Sequence, residues 1–290
     1  NFGGVTTWTS GPCSSNPPQT SVCEMFDNYN NGDYIAQNSN DWETWASVMA
    51  PCPTTPCLDD AVISNNISYS PPQSLYLNGG TAGGPADLIL PFGSEAPYTL
   101  GNFELTTYLY VTSSAYLNIQ ADTVVGQGIG LWAIDIQMDA TGIITIDNGG
   151  GAVIFLTSTY PLNDWFEFKI TIDLTQNIWE IYINNQSIGN FANPVNKISS
   201  LNIYPTIGND YYMDDVCWSY TTPNLENLNA QTILVNPITG LAGQDRNPSI
   251  DIRNLGLSNI TSFDLDFEYN GITITENIIG VNMLTQDIYT

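Results

Sequence analysis

The stretch Trp165-Phe166-Glu167-Phe168-Lys169-Ile170-Thr171-Ile172-Asp173-Leu174 alternates polar with apolar residues, and Trp179-Glu180-Ile181-Tyr182-Ile183 resumes the alternation shortly after. A period of two marks strands, because successive side chains point to opposite faces of a sheet. Phe166, Phe168, Ile170 and Ile172 thus share a core-facing side, while Glu167, Lys169, Thr171 and Asp173 face water. One dry and one wet face imply antiparallel pairing. Asn184-Asn185 suits a two-residue hairpin turn, since asparagine tolerates positive φ.

Working outward, the same pattern predicts short strands around 61–64, 73–78, 87–91, 102–111, 115–121, 130–138, 142–147, 152–157, 165–174, 178–184, 186–191, 200–205 and 211–218. Apolar residues at helical spacing are absent, and Pro51-Cys52-Pro53-Thr54-Thr55-Pro56-Cys57 must be a loop. Many short strands between turn residues predict an all-β jelly-roll sandwich. Residues 1–22, rich in Thr, Ser, Pro and Gly, read as an extended arm or linker, and 23–220 as the sandwich. After the linker Thr221-Thr222-Pro223-Asn224, residues 221–290 hold a smaller set of strands.

Composition narrows the function. Lys and Arg number 4 against 29 Asp and Glu, a formal charge of -25, so phosphate backbones and anionic membranes would be repelled. The acidity either draws in cations or keeps an exported protein soluble. No apolar run approaches membrane-spanning length. The chain lacks an initiator Met and is read as a processed or trimmed form of a secreted or bacterial cell-surface protein. Five cysteines without a histidine argue against a mixed Cys/His zinc site and suit disulfides in an oxidising compartment. Cys52 and Cys57 are close enough to close a small ring, leaving Cys13 over. Without histidine, Ser-His-Asp and Cys-His catalysis is excluded.

The 164–191 run, with Tyr211-Tyr212-Met213-Asp214-Asp215-Val216-Cys217-Trp218 downstream, resembles the concanavalin A-like lectin/glucanase jelly rolls in exported proteins of bacteria with a type IX secretion system. The stretch Asn247-Pro248-Ser249-Ile250-Asp251-Ile252-Arg253-Asn254, continued through Gly256 to Phe263, resembles Ig-like spacer domains. Such a domain takes about seven strands, so 221–290 is expected to be an incomplete Ig-like sandwich. Downstream residues or a strand exchanged from a partner would complete it, with the arm before Cys23 as one candidate donor.

The first resemblance implies that the first and last sandwich strands are neighbours. Asp27 and Asp215 would then hold a structural Ca²⁺, or else accept backbone N–H bonds at strand ends. Cys23 would pair with Cys217. It also implies a test for catalysis, because retaining glucanases carry Glu-x-Asp-x-Glu on one strand face and hydrolyse with two carboxyl groups. Here Ala133-Ile134-Asp135-Ile136-Gln137 lacks both outer carboxylates, and Asp139 is one pleat further along. The reading is therefore not a glycosidase.

A binding face remains. Tyr108, then Tyr116, Asn118 and Gln120, then Asp135 and Gln137, fall on the polar side of their alternations and are expected on adjacent strands. Amides, hydroxyls and rings suit sugar recognition, though an ordinary solvated face reads the same way. The expected function is a non-catalytic glycan- or surface-binding module. The alternatives are an accessory region of a secreted hydrolase and a structural subunit joined by strand exchange.

Overall fold

The computed structural model describes residues 19–49, 54–122, 131–149, 151, 153–223, 230–236, 249–269, 272–285 and 287–290. The chain divides into two compact units, Pro17–Pro223 and Asn224–Thr290 together with Asn1–Asn16.

The regular structure of the first unit is nearly all strand: β1 Gln19–Glu24, β2 Glu43–Thr44, β3 Val62–Ser64, β4 Ser74–Asn78, β5 Leu88–Pro91, β6 Asn102–Val111, β7 Ala115–Gln120, β8 Trp132–Met138, β9 Ile143–Asp147, β10 Ile154–Thr159, β11 Trp165–Asp173, β12 Ile178–Ile183, β13 Gln186–Phe191, β14 Ser200–Ile203 and β15 Asp210–Thr221. Two helices, α1 Ile35–Asn38 and α2 Trp45–Met49, are a turn or so each. An eight-stranded antiparallel sheet runs β13-β12-β11-β6-β15-β4-β3, with β1 also on β15, and a seven-stranded sheet runs β10-β9-β8-β7-β14-β5-β2. Non-consecutive neighbours in both sheets give the crossed order of a jelly roll.

The alternation has its expected consequence. Phe166, Phe168, Ile170 and Ile172 from one sheet and Leu117, Ile119, Ile134 and Ile136 from the other lie fully or almost fully buried in one apolar core. Burying each such side chain contributes about 1.5–3 kcal/mol. Asn184 and Asn185 take φ of 50° and 61° in the turn between β12 and β13. The first described strand, β1, already includes Gln19 and pairs residue for residue with the end of β15. Cys23 stands opposite Cys217 in that ladder, and the two are disulfide-bonded.

One connection decides where the polar side chains go. Between β6 and β7 lie only Thr112, Ser113 and Ser114, yet β6 belongs to the larger sheet and β7 to the smaller. The crossing is pinned by a polar clasp: Thr112 Oγ1 donates to the Asp210 carbonyl at 2.6 Å, Ser113 Oγ to the Gly208 carbonyl at 2.6 Å, and Asn209 Nδ2 to Ser114 Oγ at 2.8 Å.

The second unit contains β16 Ala230–Asn236, β17 Ser249–Asn254, β18 Ile260–Tyr269, β19 Ile272–Met283 and β20 Ile288–Tyr289. They form a three-stranded sheet β16-β17-β20 and a hairpin β18-β19. Phe263 packs edge-on against Tyr289 at 5.5 Å, while Ile274 is 61% exposed.

Candidate functional site

The outer side of the seven-stranded sheet carries a polar row. Asn202 on β14, Asn118 on β7, Asp135 on β8 and Asp147 on β9 stand directly opposite one another from strand to strand. All four are buried although they face away from the core. Each has a hydrogen-bond partner: Asn118 Nδ2 donates to Asn202 Oδ1 at 2.8 Å, and Asn202 Nδ2 to Asp87 Oδ1 at 2.8 Å and to the Leu88 carbonyl at 2.9 Å. Tyr116 Oη donates to Asp135 Oδ1 at 2.7 Å, and Gln137 Nε2 to Asp147 Oδ2 at 2.8 Å. The other Asp147 oxygen accepts the N–H groups of Gly149 at 2.9 Å and Gly151 at 3.0 Å. Gly149 has φ +76°, and a Cβ there would lie 2.8 Å from Trp132 Cβ, so only glycine makes this turn.

Two rows flank it. Ser200, Gln120 and Trp132 lie on one side, and Tyr116, Gln137 and Thr145 on the other. Four enclosed side-chain atoms here have no hydrogen-bond partner: Asn118 Oδ1, both amide atoms of Gln120, and Ser200 Oγ. Such groups cost about 1–3 kcal/mol each when left unmet. The rim is open, with Gln137 exposed and Trp132 40% exposed.

Burial shapes the ionisation. It raises the Asp87 carboxyl to about 6, against the opposing effect of the Asn202 bond. Burial, reinforced by the bond to Asp135, pushes the Tyr116 hydroxyl well above the usual phenol range, so it remains a proton donor to that carboxylate. The arrangement can accept and donate hydrogen bonds in quantity.

Of the expected binding residues, the structure brings Tyr116, Asn118, Gln120, Asp135 and Gln137 together. Tyr108 is a correction: β6 lies in the other sheet, and its ring is stacked under Tyr69 with centroids 3.5 Å apart. Asp139 is also corrected. It sits in the turn after β8, where its carboxylate accepts from Thr141 N, Thr141 Oγ1 and Ile143 N. Those bonds, the Thr141 hydroxyl first, hold its carboxyl below the usual range. Ala133 is buried at a bulge in β8. Asp87, Asp147, Asn202 and Ser200 were missed, although the last two fall on the polar side of Ser200-Leu201-Asn202-Ile203.

Asp27 is exposed in the turn after β1, and Asp215 sits at the β15 bulge with φ 49°. Asp215 Oδ1 accepts the Ser70 hydroxyl at 2.6 Å, while its neighbour Asp214 accepts Tyr69 N, Ser70 N and Asp215 N. Among the described residues no three carboxylate or thiolate side chains gather to hold a cation, so the donor set fits calcium only if carbonyls supply most of the oxygens. Cys57 is disulfide-bonded; Cys52, its expected partner, and Cys13 lie outside the described residues. No helix among the described residues is long and apolar enough to cross a membrane.

No protein-family model and no curated protein matches the chain. Solved structures similar to it include the T. cruzi calreticulin globular domain, at 10% identity and TM-score 0.46 over 68% of this chain and 87% of that one. Others are the cellulose-induced protein Cip1 (14%, 0.41, 55% and 84%) and the Caenorhabditis elegans galectin LEC-6 (12%, 0.31, 44% and 88%). At these values the likenesses bear on neither ligand nor activity.

Proposed function

We propose that the sandwich is a non-catalytic binding module of an exported protein, taking neutral carbohydrate on the outer face of the seven-stranded sheet. The observation that carries this reading is the set of unmet polar atoms on Asn118, Gln120 and Ser200, beside a rim of Trp132, Tyr116 and Gln137. Amide atoms without partners suit ligand hydroxyls, and an exposed indole suits a sugar's C–H face. Carboxylates at Asp87, Asp135 and Asp147 disfavour anionic sugars. The non-catalytic part is supported by the occupied Asp147 carboxylate and by Gln137 donating to it. An oxidising location agrees with the Cys23–Cys217 bond. A structural Ca²⁺ near Asp27 and Asp215 is proposed on the pairing of β1 with β15 alone; scanning calorimetry with and without EDTA tests it.

Titration calorimetry of the full chain against a panel of neutral oligosaccharides tests the main reading. Saturable binding that weakens at least about tenfold in Gln137→Ala and in Tyr116→Phe is expected. No binding across the panel, or binding indifferent to both changes, would contradict it.

A further inference from the structure

The eight-stranded sheet carries a row of a different kind on its own outer face. Tyr76, Tyr212, Tyr110 and Trp165 stand in register across β4, β15, β6 and β11. Successive ring centroids are 4.8, 6.4 and 5.6 Å apart. Tyr69, from the loop before β4, covers Tyr108 face to face and meets Trp165 edge-on at 6.0 Å. Strands about 4.8 Å apart give the four rings a span of about 14 Å, room for a short run of sugar rings. Apart from Tyr212, at 7% exposed, the rings of the row are half-buried.

Cross-strand ring pairs stabilise a sheet modestly wherever they occur, and the charged groups around this row restrict what could lie on it. Glu167 lies opposite Tyr108, whose hydroxyl donates to its Oε2 at 3.4 Å, while its Oε1 is enclosed and has no donor. Asp210 flanks Tyr76 and raises its hydroxyl's pKa, after burial. Lys169, on the same face, is taken up by Asn185 Oδ1 at 3.0 Å and lies over the Tyr182 ring. The row thus offers stacking surface, with acidic flanks that repel polyanions and a second copy of this -25 chain.

We propose that this aromatic row is a second binding face, for a neutral polysaccharide that stacks on Tyr76, Tyr110 and Trp165. It is independent of the polar face on the other sheet.

The test is retention of the full chain on insoluble neutral polysaccharides (cellulose, chitin, xylan and curdlan), measured as binding isotherms. Trp165→Ala and Tyr76→Ala should each weaken retention about tenfold on whichever polymer holds the wild type. Tyr110→Phe, which keeps the ring, should retain it. Melting curves identify any variant that fails to fold, and Trp165→Phe and Tyr76→Phe then serve as milder probes of the same contacts. Retention on none of the polymers overturns the proposal, as does capture by beads carrying a basic protein instead. Retention lost in Gln137→Ala but kept in every ring variant overturns this face and leaves the polar one standing.

Discussion

The two outer faces of the sandwich carry opposite rows. Across the smaller sheet run Asn202, Asn118, Asp135 and Asp147, shut from solvent, and across the larger run Tyr76, Tyr212, Tyr110 and Trp165, mostly half-exposed. Each defies the rule that polar groups go out and rings go in. The difference lies in what each row needs. A buried amide must find partners or weaken the fold, so the polar row is interlocked from Asp87 through Asn202 and Asn118 to Tyr116 and Asp135, while Asp147 is held by Gln137 and the turn after β9. A half-exposed ring needs no partner, so the aromatic row is held mainly by its neighbours' edges.

The largest expected effect breaks the interlocked row. Asn202→Ala takes the donor from Asp87 Oδ1 and the Leu88 carbonyl and leaves Asn118 Nδ2 only the Tyr116 hydroxyl, and should cost about 2–4 kcal/mol in urea unfolding. Tyr76→Ala on the other face should cost only about 1 kcal/mol. Equal losses would mean that the two rows do not differ in kind.

A smaller effect separates the faces by pH. Burial raises the Asp214 carboxyl, on the larger sheet, to about 7 despite three N–H donors, and raises Asp87, on the smaller, to about 6. A carboxyl raised in the folded state binds its proton more tightly there than when unfolded. Its stabilisation is therefore complete below the unfolded value of 3.8 and lost as pH rises through the folded one. Melting temperature should climb as pH falls from about 7 toward 4. Asp214→Asn should flatten the climb from its start, and Asp87→Asn only below about pH 6. A wild-type profile unchanged by either substitution would remove both assignments.

The central strands of the larger sheet were legible because they have one dry face: the alternation in β11 and β12 reads directly as burial. Which sheet each strand joins was not legible. Tyr108 and Tyr116 both fall on polar sides, but the side chain–backbone clasp of Thr112 and Ser113 carries the chain from one sheet to the other, and such contacts leave no periodic trace. The pairing of β14 with β7, which places Asn202 against Asn118, joins residues distant in sequence and was invisible for the same reason. The Cys23–Cys217 pair was reached only through a family likeness that put the first and last strands side by side.

The most direct test of the polar face as a ligand site is Gln120→Leu in the full chain, read by melting temperature and oligosaccharide titration together. Gln120 is fully buried with both amide atoms unmet, so a near-isosteric apolar side chain should stabilise the fold by about 1 kcal/mol. A higher melting temperature with weaker sugar binding is the expected result, and a lower melting temperature with unchanged binding would contradict it.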